Sequence, residues 1–173
     1  MILETKRLIL RLVENRDMDL LAKWRKTRDY REFVSSVERR KYHSQSMISL
    51  KKDDKPVGVV YTFSYNEADG YMFLNAFISD EYRNRGYGAE ACALAICHLF
   101  DTFPIYKIYC DAFSSNAQSI SMMKGVGLKQ EGLLRGHRLY NGVRYDVARF
   151  AVYREHLGVL RDLLGRFKGG KAG

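Results

Sequence analysis

Arg83-Asn84-Arg85-Gly86-Tyr87-Gly88-Ala89 is the stretch of this chain with the clearest capacity for chemistry, because of what flanks it. Residues 71–79 read as a strand. Residues 89–100, with apolar side chains at Ala93, Leu94, Ile96 and Leu99, read as a helix. A strand entering a helix through a tight Arg/Gly turn leaves several backbone N–H groups unpaired and pointing one way. The helix dipole adds partial positive charge there, so the turn suits a phosphate or pyrophosphate. Gly86 and Gly88 let the backbone come close to such a ligand, and Arg83 and Arg85 add charge and forked donors. A lone Gly-x-Gly is more often a plain surface turn with solvated arginines. The rest of the chain has to decide.

The length of 173 residues fits one domain with a single substantial core. Hydrophobic residues at 46%, with twelve Tyr and nine Phe, argue against disorder. The longest apolar run, residues 91–100, contains His98 and is too short to cross a bilayer. Residues 1–20 are charged almost throughout and carry no secretory pattern, so the expected location is the cytoplasm. Cys92, Cys97 and Cys110 are odd in number and lack metal-ligand spacing. They fit core positions in a reducing compartment, with no metal. A net charge of +9 favours anionic partners, nucleic acid and a polyphosphate cofactor among them. The aromatics follow neither the ribonucleoprotein nor the homeodomain pattern, which argues against nucleic acid.

The elements that must position the turn follow in order along the chain. Residues 7–13 alternate like a first strand, and Asp17 reads as the N-cap of a helix through Met18, Leu20, Leu21 and Trp24. Residues 30–42 read as helix fragments or loop. Residues 45–51 and 56–66 read as paired strands around Asp53-Asp54-Lys55, and residues 66–70 as a turn into the strand before the Arg/Gly segment. Pro104 starts a further strand, residues 105–113. Ser114-Ser115-Asn116 then caps a helix that ends at Gly125 to Gly127. Residues 128–139 and 143–153 form a hairpin about Asn141-Gly142. Residues 1–157 thus read as one domain. Residues 158–173 read as a short amphipathic helix and a basic, frayed tail. The fold class is α/β (α+β): a mixed sheet with helices on its faces.

This order of elements resembles the GNAT superfamily of acetyl-CoA-dependent N-acetyltransferases over nearly the whole chain. Residues 78–88 are similar to the family's strand and pyrophosphate loop. Asn116 to Ser119, Met123-Lys124 and Gly127-Leu128 are similar to its second motif. Residues 4–11, and residues 131–135 with Gly142 and Asp146, resemble the branch of ribosomal-protein N-terminal acetyltransferases (RimJ/RimL-like). The resemblance implies a single mixed, mostly antiparallel sheet splayed at its central strands, with acetyl-CoA as co-substrate and no metal. It implies that the backbone amides of Arg85, Gly86, Tyr87, Gly88 and Ala89 hold the CoA pyrophosphate. Ala76, Phe77 and Ile78 would pair with the pantetheine arm as an added strand does. A backbone N–H near Phe77 or Ile78 would polarise the thioester carbonyl, and Asn116 would hydrogen-bond the arm.

Two positions depart from the family pattern. Many members carry a Tyr seven residues after this Asn as the proton donor to the CoA thiolate, where this chain has Met123. In the ribosomal-protein branch a Ser lies three residues after the Asn, so Ser119 is the expected donor, and it is also counted among the cofactor-binding residues. Histone-type relatives place a Glu base on the strand before the loop, where this chain has Met72. Glu67, Asp69, Asp111, His137 and Tyr140 remain as candidates, and the base stays open. The expected activity is acetyl transfer to a primary amine on a small molecule or peptide, by direct attack. Residues 28–46 and the hairpin would line the acceptor site. Arginines at 28, 31, 39, 40, 135 and 138 favour an anionic acceptor over a polycation. A homodimer is compatible with the resemblance. The competing reading is a non-catalytic CoA- or RNA-binding module on the same fold.

Overall fold

The computed structural model describes residues 2–28, 30 and 42–169. Eight strands form one sheet: β1 (Ile2–Glu4), β2 (Leu8–Leu12), β3 (Tyr42–Leu50), β4 (Lys55–Asn66), β5 (Tyr71–Ile78), β6 (Lys107–Phe113), β7 (Lys129–Tyr140) and β8 (Val143–Tyr153). Their spatial order is β1-β2-β3-β4-β5-β6-β8-β7. Every neighbouring pair is antiparallel except β5 and β6, which run parallel. That parallel pair needs a crossover, and α2 (Tyr87–Thr102) supplies it. Further helices among the described residues are α1 (Met18–Arg25), α3 (Ala117–Gly125) and α4 (Leu157–Gly169).

Strand periodicity puts alternate side chains on opposite faces, and here both faces are covered. Leu8, Leu10, Ile48, Val60, Met72, Leu74 and Ile108 meet α2 and α4 on one face. Val59, Tyr61, Phe63, Phe73 and Phe77 meet Leu21 and Trp24 of α1, together with Tyr30, on the other. Double coverage is why residues 56–66 read as a nearly continuous apolar run. Cys92, Cys97 and Cys110 are in no disulfide and are buried in the first of these cores. Burial pushes the Cys92 thiol up to about 12. Leu160 and Leu164 of α4 are buried there as well, so the helix packs into the core through these residues.

The hairpin turn at Asn141-Gly142 has positive φ at both residues, as its strands require. Asp17 occupies the expected N-cap position of α1, but its side chain makes no hydrogen bond to that helix; it ends a 3₁₀ turn, Asn15–Asp17, and closes that turn's capping box instead. Its carboxylate takes two hydrogen bonds from Arg11, at 2.7 and 2.9 Å, and one from the Glu14 amide at 2.8 Å. Both partners are buried. The Arg11 hydrogen bond holds the Asp17 carboxyl below its ordinary value, against the opposing effect of burial. A buried fork of donors from Arg11 outweighed the local cap. β1, three residues long, had no readable period. Residues 31–41, expected to be helix fragments or loop, lie outside the described residues.

Candidate active site

β5 and β6 stay paired for three residue pairs only, Tyr71↔Lys107, Met72↔Ile108 and Phe73↔Tyr109. Beyond them the strands diverge while each keeps its outer neighbour: β5 pairs with β4 as far as Ile78, and β6 with β8 as far as Phe113. The expected splay is present. Strand alternation decides which groups face it. Ser79 N donates to Val57 O on the β4 side (2.9 Å). Ala76 N donates to Asn75 Oδ1 (2.8 Å), and Ile78 O accepts from Arg83 Nε (3.0 Å). Successive residues point their N–H and C=O to opposite edges, so Ala76 and Ile78 face the gap and Phe77 faces β4. Of the two amides expected near the thioester, the gap-facing one is Ile78. The Phe77 side chain packs on Trp24 and Tyr30, with centroid separations of 5.6 and 5.0 Å.

The chain leaves β5 through a 3₁₀ turn, Asp80–Tyr82, and reaches α2 through Asn84 (φ 60°) and Gly86 (φ 78°, ψ 0°). Gly86 is the N-cap of α2 and places no side chain on its first turn. The first α-helical bond runs from Glu90 N to Gly86 O, so the amides of Tyr87, Gly88 and Ala89 have no acceptor within the helix. Gln118 Nε2 donates to Asn84 Oδ1 at 2.7 Å and ties the start of α3 to this turn. Arg83 also borders the cleft beside this turn. Its side chain is 17% exposed, and its guanidinium donates to the Ile78 carbonyl and pairs with Asp80 at 2.7 Å, bracing the strand end. Arg85 turns its guanidinium over the Tyr82 ring.

A cleft of about 400 Å³ runs from the turn to the splay, bordered by Ala76, Ile78, Tyr87, Gly88, Ser119 and Met122. It adjoins a hollow of about 40 Å³ between β5 and β6, which shares Ala76, Ser119 and Met122 with it. Ser119 stands at the junction. Its backbone N–H is capped by Asn116 Oδ1 at 3.0 Å, so Asn116 is an N-cap in this structure. Ser119 Oγ has no protein partner among the described residues. Met123 is buried and lines the hollow.

The candidate bases are scattered. Asp111 lines the hollow, but Arg149 holds both its oxygens at 2.9 Å. That hydrogen bonding raises the Arg149 guanidinium above its ordinary value, although burial opposes it. Asp69 accepts from Asn66 Nδ2, Glu67 and His137 are exposed, and Tyr140 packs near Tyr145. Sequence reasoning missed a buried pair of hydroxyls, Tyr30 and Tyr61, hydrogen-bonded to each other; Tyr61 lies directly across from Asn75. It also missed Arg7 and Glu90, which meet behind the turn. An acidic residue in the first turn of an otherwise apolar helix was the available sign of Glu90. Among the described residues no three His, Cys, Asp or Glu are grouped to hold a metal, and no helix is long and apolar enough to cross a membrane.

Residues 7–129, which span β2 to the start of β7, match the family model of the acetyltransferase (GNAT) domain. The chain belongs to the GNAT acetyltransferase family. That makes it an acyltransferase. The GNAT chain is 26% identical over 141 residues to the SPbeta prophage-derived N-acetyltransferase YokL of Bacillus subtilis (strain 168), covering 81% of this chain and 78% of the relative. It is 22% identical over 175 residues to N-acetyltransferase p20 of Bacillus licheniformis, covering 90% and 98%. Its fold matches a GCN5-related N-acetyltransferase from Brucella melitensis (TM-score 0.81, 16% identity, covering 98% of this chain and 86% of that one). It also matches a spermidine N-acetyltransferase from Vibrio cholerae, solved with CoA and spermine (TM-score 0.76, 16% identity, covering 86% and 96%).

Proposed function

We propose that this GNAT protein transfers an acetyl group from acetyl-CoA to a primary amine by direct attack. The observation that carries the reading is the adjacency of three features. A helix N-terminus with free amides borders a cleft along the gap-facing edge of β5, and that cleft shares Ala76, Ser119 and Met122 with the hollow, or slot, between β5 and β6. In this reading the amides of Gly86 to Ala89 hold the pyrophosphate. Ala76 pairs with the pantetheine arm once its N–H leaves Asn75, and Ile78 N–H donates to the thioester oxygen as it gains negative charge. The amine nitrogen bonds to the carbonyl carbon, and the carbon–sulfur bond breaks. Ser119 Oγ gives its proton to the departing thiolate and regains one from solvent. The amine proton leaves to water, since Asp111, the carboxylate lining the slot, is tied to Arg149. Ser119 at its spacing from Asn116 supports kinship with the ribosomal-protein branch.

The acceptor is read as an amine that carries an anionic group. Asp111 is neutralised by Arg149, Glu131 lies 3.7 Å from Lys107, and Asp146 accepts from the Gly136 amide. Among the described residues this leaves the hairpin side of the slot poor in carboxylates for a polycation, while the chain as a whole carries +9. The test is thiol release from acetyl-CoA against a panel of amines, with mass spectrometry of the acetylated product. Release with no amine in the panel, despite CoA binding, would favour the non-catalytic binding module.

A further inference from the structure

Arg7 lies in the bend between β1 and β2, held by hydrogen bonds of the Leu8 and Arg7 amides to Thr5 Oγ1 at 2.9 and 3.2 Å. From there it reaches 83 residues along the sequence. Its Nε donates to Glu90 Oε2 at 2.7 Å, Nη2 pairs with the same oxygen, and Nη1 donates to the Arg85 carbonyl at 3.1 Å. The guanidinium lies 5.0 Å from the Tyr87 ring centroid and 5.7 Å from that of Phe167 on α4. Glu90 is fully buried, and its Oε1 has no partner. A carboxylate in that position stands only with a cation beside it, so Glu90 fixes where Arg7 must be.

The consequence lies in the peptide unit joining Arg85 to Gly86. In a trans peptide the C=O and N–H point in opposite directions. With the Arg85 carbonyl anchored back toward Arg7, the Gly86 N–H points away from Arg7. Gly86, in the left-handed region, carries no side-chain barrier against rotation of that unit. A rotated peptide would present a carbonyl oxygen to an incoming anion in place of a donor. We propose that Arg7 is a positioning residue that sets the polarity of the Arg85–Gly86 peptide, so that the cofactor turn meets an anion with N–H groups only. Glu90 and Phe167 hold Arg7 in place, which links the N-terminal bend and the C-terminal helix to the affinity of a site that neither lines.

This inference rests on the reading of the turn as the CoA pyrophosphate site, and the experiment separates the two. CoA is titrated calorimetrically into the wild type, Gly86→Val, Arg7→Lys and the double variant Arg7→Met/Glu90→Leu. Arg7→Lys keeps a cation for Glu90 and loses the second arm to the Arg85 carbonyl. The double variant removes the pair without stranding a buried charge, so it stays folded if the lysine protein does not. Both should bind CoA about tenfold more weakly, the loss of one hydrogen bond to a charged group, with kcat at saturating acetyl-CoA unchanged. In 15N-labelled wild type, saturation with CoA should shift the Gly86 amide resonance, and Arg7→Lys should broaden it by exchange. Wild-type affinity in both folded Arg7 variants, with Gly86→Val weakened, overturns the role of Arg7 alone. No CoA binding by the wild type overturns the cofactor reading and this inference together.

Discussion

Gly86 and Gly88 are two residues apart, yet a side chain at each has opposite consequences for the empty fold. Gly86 holds φ at 78°, where an L-residue costs about 1–2 kcal/mol, and a Cβ there would stand 3.4 Å from Arg7 Nη2. Gly88 lies inside the first turn of α2, and its Cβ would meet Ile78 Cγ1 at 3.5 Å, an ordinary contact. Alanine is worth up to about 1 kcal/mol over glycine in a helix. Gly86→Ala should therefore lower stability and Gly88→Ala raise it. A separation of about 2 kcal/mol corresponds to roughly 4–8 °C for a domain of this size. Valine at Gly88 adds two methyls on the side facing Ile78, across the cleft, and should weaken CoA binding at least tenfold, ~1.4 kcal/mol. Thermal unfolding with and without CoA, followed by calorimetric titration, separates the two effects. A folded Gly88→Val protein with wild-type CoA affinity refutes the cleft as the cofactor path. A Gly88→Ala protein less stable than wild type refutes the helical placement of Gly88.

Ser119→Ala should lower kcat by roughly 10- to 1000-fold while the Michaelis constant for acetyl-CoA moves little, because the backbone cap from Asn116 remains; unchanged kcat with the true acceptor would assign the proton to water. The Arg11–Asp17 pair predicts an acid limb of stability. Asp17 is held below its ordinary 3.8 in the folded protein, chiefly by the Arg11 hydrogen bond, so its contribution is complete above that value and is lost as pH falls through the depressed one. Urea unfolding between about pH 6 and about pH 2 should show a shallower acid limb in Arg11→Met/Asp17→Leu than in wild type; parallel limbs would refute the assignment. An amino-sugar nucleotide should exceed spermidine in kcat/KM, by a margin that shrinks with salt as the screening length falls to about 8 Å at physiological ionic strength. A preference for spermidine at both a low and a high salt concentration would reverse the charge argument.

What could be read from the residues was whatever depends on short range. The strand, Arg/Gly turn and helix around residue 86, the Asn116 cap and the Asn141-Gly142 hairpin each announce themselves within about a dozen positions. The splay also followed once the family resemblance was in hand. Long-range pairing was not readable. Arg7 looked like one charge in an alternating strand, and nothing local ties it to Glu90. Asp111 was weighed as a base because the register that brings Arg149 beside it emerges only when β6 meets β8. Arg83 was read by its charge, whereas the geometry of the turn sends it back to the Ile78 carbonyl. Tyr61 was one more aromatic in an apolar strand until folding set it against Tyr30.

The three residue pairs that join β5 to β6 make the sheet two leaves sewn at one end, five strands on one side and three on the other. The stitch carries an aromatic clasp, Tyr71, Phe73 and Tyr109, with centroids 5.1–6.1 Å apart. Beyond it, the sheet edges of Ala76 and Ile78 lack the rungs that the rest of the sheet enjoys. A molecule with amide groups bound along the seam would complete those rungs and become a load-carrying part of the fold. Its concentration would then enter the folding equilibrium directly, since whatever binds only the closed seam stabilises it by mass action.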